Sequence, residues 1–288
     1  MPIELIADGL GFPEGPVAMS DGSVIVVELG AGRITRCWDG RKETVSDIGG
    51  GPNGAAIGPD GALYICNSGG LAPGGGGNAT GPGSEGRLER VDLSTGRVER
   101  LFETCDGIAL SAPNDLVFAA DGSLWFTDLG KRYDRVTEAS GLFHCDPQAG
   151  TIERVHDHAQ SYNGVGLSPD GATVYVADTF QTRLYAFDAT IPGQQKPRLV
   201  ANVTGPVALD SLAVTAAGNI CVGTLFDGGI SSISPAGAVT RTSFPDPYVT
   251  NIAFGGADMQ DAYITLSQTG RLIRARWEEP GLRLAFNG

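Results

Sequence analysis

Paired cysteines, basic clusters and long apolar runs are missing from this sequence, and each absence excludes a class of protein. The five cysteines form no CxxC pair, which argues against a zinc ribbon or a redox motif, so we expect buried free thiols. The 288 residues carry a net charge of −13 without a basic stripe, which excludes nucleic acid as a partner. No stretch approaches the ~20 apolar residues of a membrane helix. Met1–Asp8 lacks the basic and apolar regions of a signal peptide, which predicts a cytoplasmic protein that does not bind membranes.

The groups needed for nucleophilic catalysis are also scarce. No Gly-x-Ser-x-Gly motif occurs, and no serine or cysteine has an identifiable histidine partner. The three histidines, His144, His156 and His158, fall in segments that we predict to be outer strands or connections between blades. We therefore expect neither a Ser-His or Cys-His nucleophile nor a histidine base.

Glycine is abundant, with 43 residues, and turns containing it recur in register. A polar residue stands seven positions before each turn, and an apolar run follows it. The pairs are Glu14 with Asp21-Gly22, Asn53 with Asp60-Gly61, Asn114 with Asp121-Gly122, Asn163 with Asp170-Gly171, Asp210 with Ala217-Gly218 and, in a degenerate copy, Asn251 with Asp258. A strand, an Asp-Gly turn and a second strand predict a β-hairpin.

The six copies predict an all-β protein, a six-bladed β-propeller that occupies residues 1–288 as one domain. Successive marker residues are 39, 61, 49, 47 and 41 positions apart, which is typical of blades with four strands. We expect the N-terminal run Ile3–Ile6 to supply the fourth strand of the last blade. The Gly-rich segment 69–86 is predicted to be a loop between the second and third strands of the second blade, either a surface insertion or a lid.

The repeated polar position predicts a metal site. The first strand of each blade lines the central channel of a propeller, so equivalent positions converge on its axis. All six markers carry a carboxylate or a carboxamide, and such oxygen ligands suit hard cations. Capping of turns by Asx residues explains one or two of these positions but poorly explains six in register.

Five stretches of the sequence resemble the SMP-30/gluconolactonase/luciferin-regenerating family. They are Phe12-Pro-Glu-Gly-Pro16, Pro113-Asn-Asp-Leu-Val117, Tyr162-Asn-Gly-Val-Gly-Leu-Ser-Pro-Asp-Gly171, Val176-Ala-Asp-Thr179 and Leu209-Asp-Ser-Leu-Ala213. The resemblance covers essentially the whole chain. It implies a six-bladed propeller with one catalytic divalent ion and hydrolysis of a lactone, a small-molecule substrate.

The resemblance also implies the residues of the site. Glu14, Asn163 and Asp210 match the metal ligands of the family, and Asn114 matches an asparagine beside metal and substrate. Asn53 and Asn251 are further candidates, with Asn114, for binding substrate. The chain departs from the sugar lactonases at Ala112, where they carry an arginine that reaches substrate hydroxyls. The Asp210-Ser211 pair is similar to bacterial lactonases of broader range.

A mechanism follows from these residue types. The ion would polarise the lactone carbonyl for attack by water. Ca²⁺ is the preferred ion, although Zn²⁺, Mn²⁺, Mg²⁺ or Fe²⁺ would also bind oxygen ligands. Asp210 is the first candidate for the base and Glu14 the second. Asp128 and Asp178, 14 and 15 residues after their markers, either orient the metal-binding amides or cap turns.

Two other functions stay open. A propeller can bind a protein or peptide without catalysis, and related channels carry out phosphotriester hydrolysis or the condensation of strictosidine synthase. The sequence does not indicate an oligomeric state.

Overall fold

The protein is described here by a computed structural model that covers residues 2–38, 40–72, 78–191 and 193–286. These residues form strands and turns, and none of them forms a helix long and apolar enough to cross a membrane. In chain order the strands are β1 (Ile3–Ala7), β2 (Pro13–Ala18), β3 (Val24–Glu28), β4 (Arg33–Trp38), β5 (Arg41–Asp47), β6 (Pro52–Ile57), β7 (Leu63–Asn67), β8 (Arg87–Val91), β9 (Val98–Phe102), β10 (Thr104–Cys105), β11 (Ile108–Ala109), β12 (Pro113–Phe118), β13 (Leu124–Asp128), β14 (Ser140–Asp146), β15 (Thr151–Ala159), β16 (Tyr162–Leu167), β17 (Thr173–Asp178), β18 (Arg183–Asp188), β19 (Arg198–Asn202), β20 (Ala208–Val214), β21 (Ile220–Leu225), β22 (Gly229–Ile233), β23 (Val239–Ser243), β24 (Val249–Gly255), β25 (Asp261–Leu266) and β26 (Arg271–Arg276).

The strands form six antiparallel sheets of four strands each, together with the short hairpin of β10 and β11. Five sheets run in chain order, β2–β5, β6–β9, β12–β15, β16–β19 and β20–β23. The sixth has the order β24-β25-β26-β1, and Ile3 pairs with Ala275. The N-terminal strand therefore completes the last blade, and the prediction of an all-β, six-bladed β-propeller is confirmed.

The core lies between neighbouring blades. Successive side chains of a strand point to opposite faces of the sheet, so a strand buried on both faces is apolar throughout. The second strand of the first blade has this pattern, because Val24, Ile25, Val26 and Val27 are at most 1% exposed. All five cysteines are buried and free, as predicted. The Gly-rich loop joins β7 to β8, the second and third strands of its blade; its residues 73–77 lie outside the described part of the chain.

Each inner strand is bulged beside its marker residue. The pairing of β2 with β3 shifts between Glu14 and Val17, and the pairing of β20 with β21 shifts between Leu209 and Leu212. The inner strands β6, β12 and β16 shift at the equivalent place, whereas β24 shifts just before its marker, between Val249 and Asn251. A bulge bends the strand and re-aims its side chains, so every inner strand is distorted close to its polar marker.

Glycine after the marker lets neighbouring inner strands come close together. A Cβ on Gly164 would lie 2.6 Å from the carbonyl oxygen of Asp210, and a Cβ on Gly54 would lie 2.6 Å from that of Asn114. Real Cβ atoms essentially never approach other atoms so closely. These two glycines are therefore required for the narrow part of the channel.

The C-terminal segment crosses the end of the channel that faces the Asp-Gly turns. The amide of Leu282 donates to the Val214 carbonyl at 2.9 Å, and the ring of Phe286 lies 5.8 Å from that of Phe118. Between this segment and the marker residues the channel widens into a cavity of about 480 Å³. Asp115 and Asn251 line this cavity.

A buried ion pair in the second blade gives a stability prediction. Glu89 accepts from Arg87 at 2.5 Å and from the Asn67 amide at 2.8 Å, and both charged side chains are at most 3% exposed. Glu89→Ala leaves the guanidinium buried without its carboxylate, and we expect a loss of ~3 kcal/mol in the free energy of unfolding in urea. The matched change of the exposed Glu99 to Ala should cost at most ~0.5 kcal/mol. Equal losses for the two variants would contradict this account.

Candidate functional site

The six marker residues lie on the six inner strands, and all of them are buried. Glu14 is 2% exposed and Asp210 is 8% exposed. Asn53, Asn114, Asn163 and Asn251 lie between 2% and 9%. Because the inner strands contact one another in a closed ring, these side chains meet at one end of the channel. We call this set the polar ring.

Glu14 lies in the part of the polar ring contributed by the first and last blades. The Asn251 amide donates to its carboxylate at 3.4 Å, and the Thr250 hydroxyl also bonds to it. Burial raises the pKa of the Glu14 carboxyl well above its usual value, and the nearby carboxylates of Asp210 and Asp115 raise it further. No cation offsets this charge among the described residues.

Asp210 lies in the fifth blade beside Asn163 of the fourth. Its carboxylate is hydrogen-bonded to the Asn163 side chain, and Asn163 also donates to the Thr179 hydroxyl at 3.1 Å. Burial raises the pKa of Asp210 to about 7, and the neighbouring Asp115 contributes to the rise. The carboxyl can therefore exchange a proton near neutral pH.

Asp115 is a third buried carboxylate, and the sequence analysis missed it. It follows Asn114 at the position where three other blades have glycine, and it accepts from the backbone amides of Leu116 at 2.9 Å and Val165 at 3.4 Å. Its side chain is also hydrogen-bonded to Ser211 in the fifth blade. Burial raises the pKa of Asp115 to about 7. A carboxylate at a position where Gly15, Gly54 and Gly164 stand in other blades is the sequence signal that could have found it.

The polar ring has the donor set of a site for a hard cation. The buried Oδ1 atoms of Asn53 and Asn114 have no hydrogen-bond partner, and buried oxygen atoms are rarely left unpaired. In the described part of the chain no three His, Cys, Asp or Glu side chains cluster as a metal group. The available ligands are therefore two carboxylates and several amide oxygens, which suit Ca²⁺ better than a soft metal.

Polar residues at the ends of the second strands hold the loops that enter the inner strands. Asp128 accepts from the backbone amides of Ser111 at 2.7 Å and Ala112 at 2.8 Å, and Asp178 accepts from the Ser161 hydroxyl at 2.6 Å. They lie at the same end of the channel as the polar ring, one strand further out. These bonds go to loop atoms, so Asp128 and Asp178 position the backbone that carries the ring residues.

The three histidines lie away from the polar ring. His144 is on β14, and His156 and His158 are on β15. His158 is 84% exposed. The expectation that they fall on outer strands or in connections between blades is confirmed.

The geometry defines a class of propeller proteins that carry a buried site of oxygen ligands on the channel axis. The chain belongs to the SMP-30/gluconolactonase/LRE-like family, which it matches over residues 12–268. The resemblance found in the sequence is thereby confirmed.

Two relatives are similar in sequence, and a solved structure is similar in fold. A gluconolactonase of Zymomonas mobilis subsp. mobilis is 26% identical over 200 residues, which are 62% of this chain and 52% of the relative. A 6-deoxy-6-sulfogluconolactonase of Pseudomonas putida is 33% identical over 180 residues, 60% of each chain. This chain thus spans about half to three fifths of the length of these two relatives. The structure of a gluconolactonase from Xanthomonas campestris has a TM-score of 0.78 at 22% identity and covers 95% of this chain and 89% of its own, which supports the fold.

Proposed function

We propose that this protein is a metal-dependent hydrolase that opens lactones at the polar ring. The observation that carries the proposal is the convergence of two buried carboxylates, Glu14 and Asp210, with amide oxygens that lack partners. No salt bridge reaches either carboxylate within the described residues. Carboxylates buried without a positive partner are costly to keep ionised unless they bind a cation. The five buried thiols fit a reducing compartment, so we propose that the protein is cytoplasmic. We also propose that residues 1–288 form one domain.

Glu14, Asn163 and Asp210 would hold the metal ion, with Asn114 beside them. Oxygen donors of this kind favour Ca²⁺, although Zn²⁺, Mn²⁺, Mg²⁺ and Fe²⁺ also accept them. Bound there, the ion would polarise the lactone carbonyl and stabilise the negative charge that develops on its oxygen.

The chain itself supplies proton transfer and orientation. Asp210 is the proposed base for the attacking water, because its buried carboxyl can take a proton near neutrality and Asn163 fixes its position. Glu14 is the second candidate. Asn53, Asn114 and Asn251 would orient the oxygen atoms of the substrate, and Asp128 and Asp178 hold the loops that carry the ring.

A hydrolysis screen on metal-stripped protein tests this function. We expect acid release from sugar lactones or from simple aliphatic and aromatic lactones when a divalent ion is added back, followed with a pH indicator. Chelation should abolish it, and renewed addition of the ion should restore it. Metal binding with turnover of a phosphotriester but of no lactone would replace the proposal by the other reaction. Absence of both metal binding and turnover would favour a propeller that only binds a partner.

A further inference from the structure

Three aromatic side chains form a continuous surface at the mouth of the channel. The ring centroids of Phe12 and Tyr248 lie 6.3 Å apart, and those of Phe226 and Tyr248 lie 6.1 Å apart. Phe226 is 54% exposed, and the other two rings are half-buried. We call these three residues the aromatic rim. Because Phe226 keeps more than half of its surface in water, folding gains little from its apolar ring.

The aromatic rim lies at the same end of the channel as the polar ring. Phe12 stands two residues before Glu14, and Tyr248 three residues before Asn251, in the loops that enter β2 and β24. Phe226 follows the last residue of β21 and lies beside Tyr248, because Leu225 pairs with Tyr248. The rim therefore borders the approach to Glu14.

Two members of the rim are held in a backbone conformation that side chains disfavour. The φ angles are +56° for Phe12 and +73° for Phe226, in the left-handed region that glycine adopts freely. Pro13 restricts Phe12 further. Hydrogen bonds hold both residues in place, from the Leu29 amide to the Phe12 carbonyl at 3.1 Å and from the Phe226 amide to the Pro247 carbonyl at 2.7 Å. Strain of this kind persists where surrounding contacts enforce it, and it concentrates at ligand sites.

A buried carboxylate holds the backbone of the third rim residue, Tyr248. Asp246 is 3% exposed and accepts from the Tyr248 amide at 2.7 Å and from the Thr269 amide and hydroxyl at 2.9 and 2.6 Å. Tyr248 is thereby fixed between the other two rings. The rim is a preorganised surface, so a ligand that stacks on it would pay little ordering entropy.

We propose that the aromatic rim is an apolar subsite that binds the aryl or alkyl part of the substrate, so that the protein prefers aryl or alkyl lactones to polyhydroxylated ones. This inference rests on the proposed function. Exposed aromatic faces stack on aryl rings and cover hydrocarbon, whereas substrate hydroxyls placed against them would lose hydrogen bonds to water.

The ratio of kcat/KM for dihydrocoumarin to that for glucono-δ-lactone tests the subsite on the metal-loaded protein. We expect the wild type to favour dihydrocoumarin at least ~10-fold. Phe226→Ala should lower the ratio about 10-fold through KM, and Phe226→Tyr should keep it. The control is Leu199→Ala, which removes an equally exposed apolar side chain, 53% exposed, from the outer strand β19; its ratio should match the wild type. A ratio that Phe226→Ala leaves unchanged overturns the subsite.

Binding without turnover separates this inference from the proposed function. Chroman has the fused rings of dihydrocoumarin but no carbonyl, and saturation-transfer NMR detects weak binding. We expect a signal with the wild type and its loss with Phe226→Ala. If the protein opens no lactone but binds chroman in this way, the hydrolase proposal fails and the subsite stands. If it does not bind chroman, the subsite fails.

Phe226→Gly distinguishes a binding role from a structural one. Glycine adopts a φ of +73° without strain, so we expect the melting temperature to stay the same or to rise while the preference for dihydrocoumarin is lost. A clear fall in melting temperature would show that the ring serves the fold, and it would overturn the assignment.

Discussion

Asp210→Asn and Glu14→Gln should each lower lactone hydrolysis by about 10³-fold or more, and each should abolish retention of the divalent ion through dialysis. Both changes keep the size of the side chain but remove a negative charge. Loss of a general base alone costs 10²- to 10⁴-fold, and loss of the cation adds to that cost. Metal content by mass spectrometry and turnover at saturating metal measure the two effects separately.

Unfolding should not explain these losses. Burial raises the pKa of both carboxyls, and neighbouring carboxylates raise it further, Asp210 for Glu14 and Asp115 for Asp210. A neutral replacement therefore relieves a destabilising interaction. The metal-free variants should therefore melt at or above the temperature of the metal-free wild type at pH 8. Asp8→Asn, which neutralises an exposed carboxylate at the end of β1, is the control and should retain activity and metal. Full activity with metal retained in either ring variant would overturn the site.

Much of the architecture could be predicted because its signals are local. An Asp-Gly turn sits directly between the two strands that it connects, as in the turn where the Gly22 amide donates to the Met19 carbonyl. The polar marker and its turn recur six times at the same offset, so the number of blades can be predicted without knowledge of long-range contacts. Pairing of β1 with β26 was also predictable, since the last repeat lacked a fourth strand.

The rest depends on contacts between blades, which no single repeat encodes. The contacts that place Asp115 come from Val165 and Ser211 of the next two blades, so the sequence of its own blade does not contain them. The path of the C-terminal segment across the channel also depends on contacts between distant parts of the chain, since the Leu282 amide donates to the Val214 carbonyl. Sequence analysis named the residues of the polar ring, but not the close packing that leaves the Oδ1 atoms of Asn53 and Asn114 without partners.

The metal-free protein should lose stability as the pH rises from about 5 to about 8. Burial raises the pKa of Asp210 and of Asp115 to about 7 in the folded chain, against about 4 in an unfolded one. Between these values the folded state holds protons that the unfolded state has released, so its stability falls with increasing pH until the folded groups have ionised. A difference of this size in one group corresponds to roughly 4 kcal/mol.

Divalent metal should reverse this trend, because it binds the ionised carboxylates and competes with their protons. We therefore expect Ca²⁺ to raise the melting temperature more at pH 8 than at pH 5. Thermal scans at both pH values, with chelator or with excess CaCl₂, measure the difference. Asp210→Asn should reduce the pH dependence of the metal-free protein, of which Asp115 and Glu14 keep a part, and it should remove most of the gain from Ca²⁺. A metal-free melting temperature that rises between pH 5 and pH 8, or equal gains from Ca²⁺ at both, would contradict this account. The expected pattern would mean that the polar ring destabilises the metal-free propeller, and that the charge needed to bind the ion is the cause.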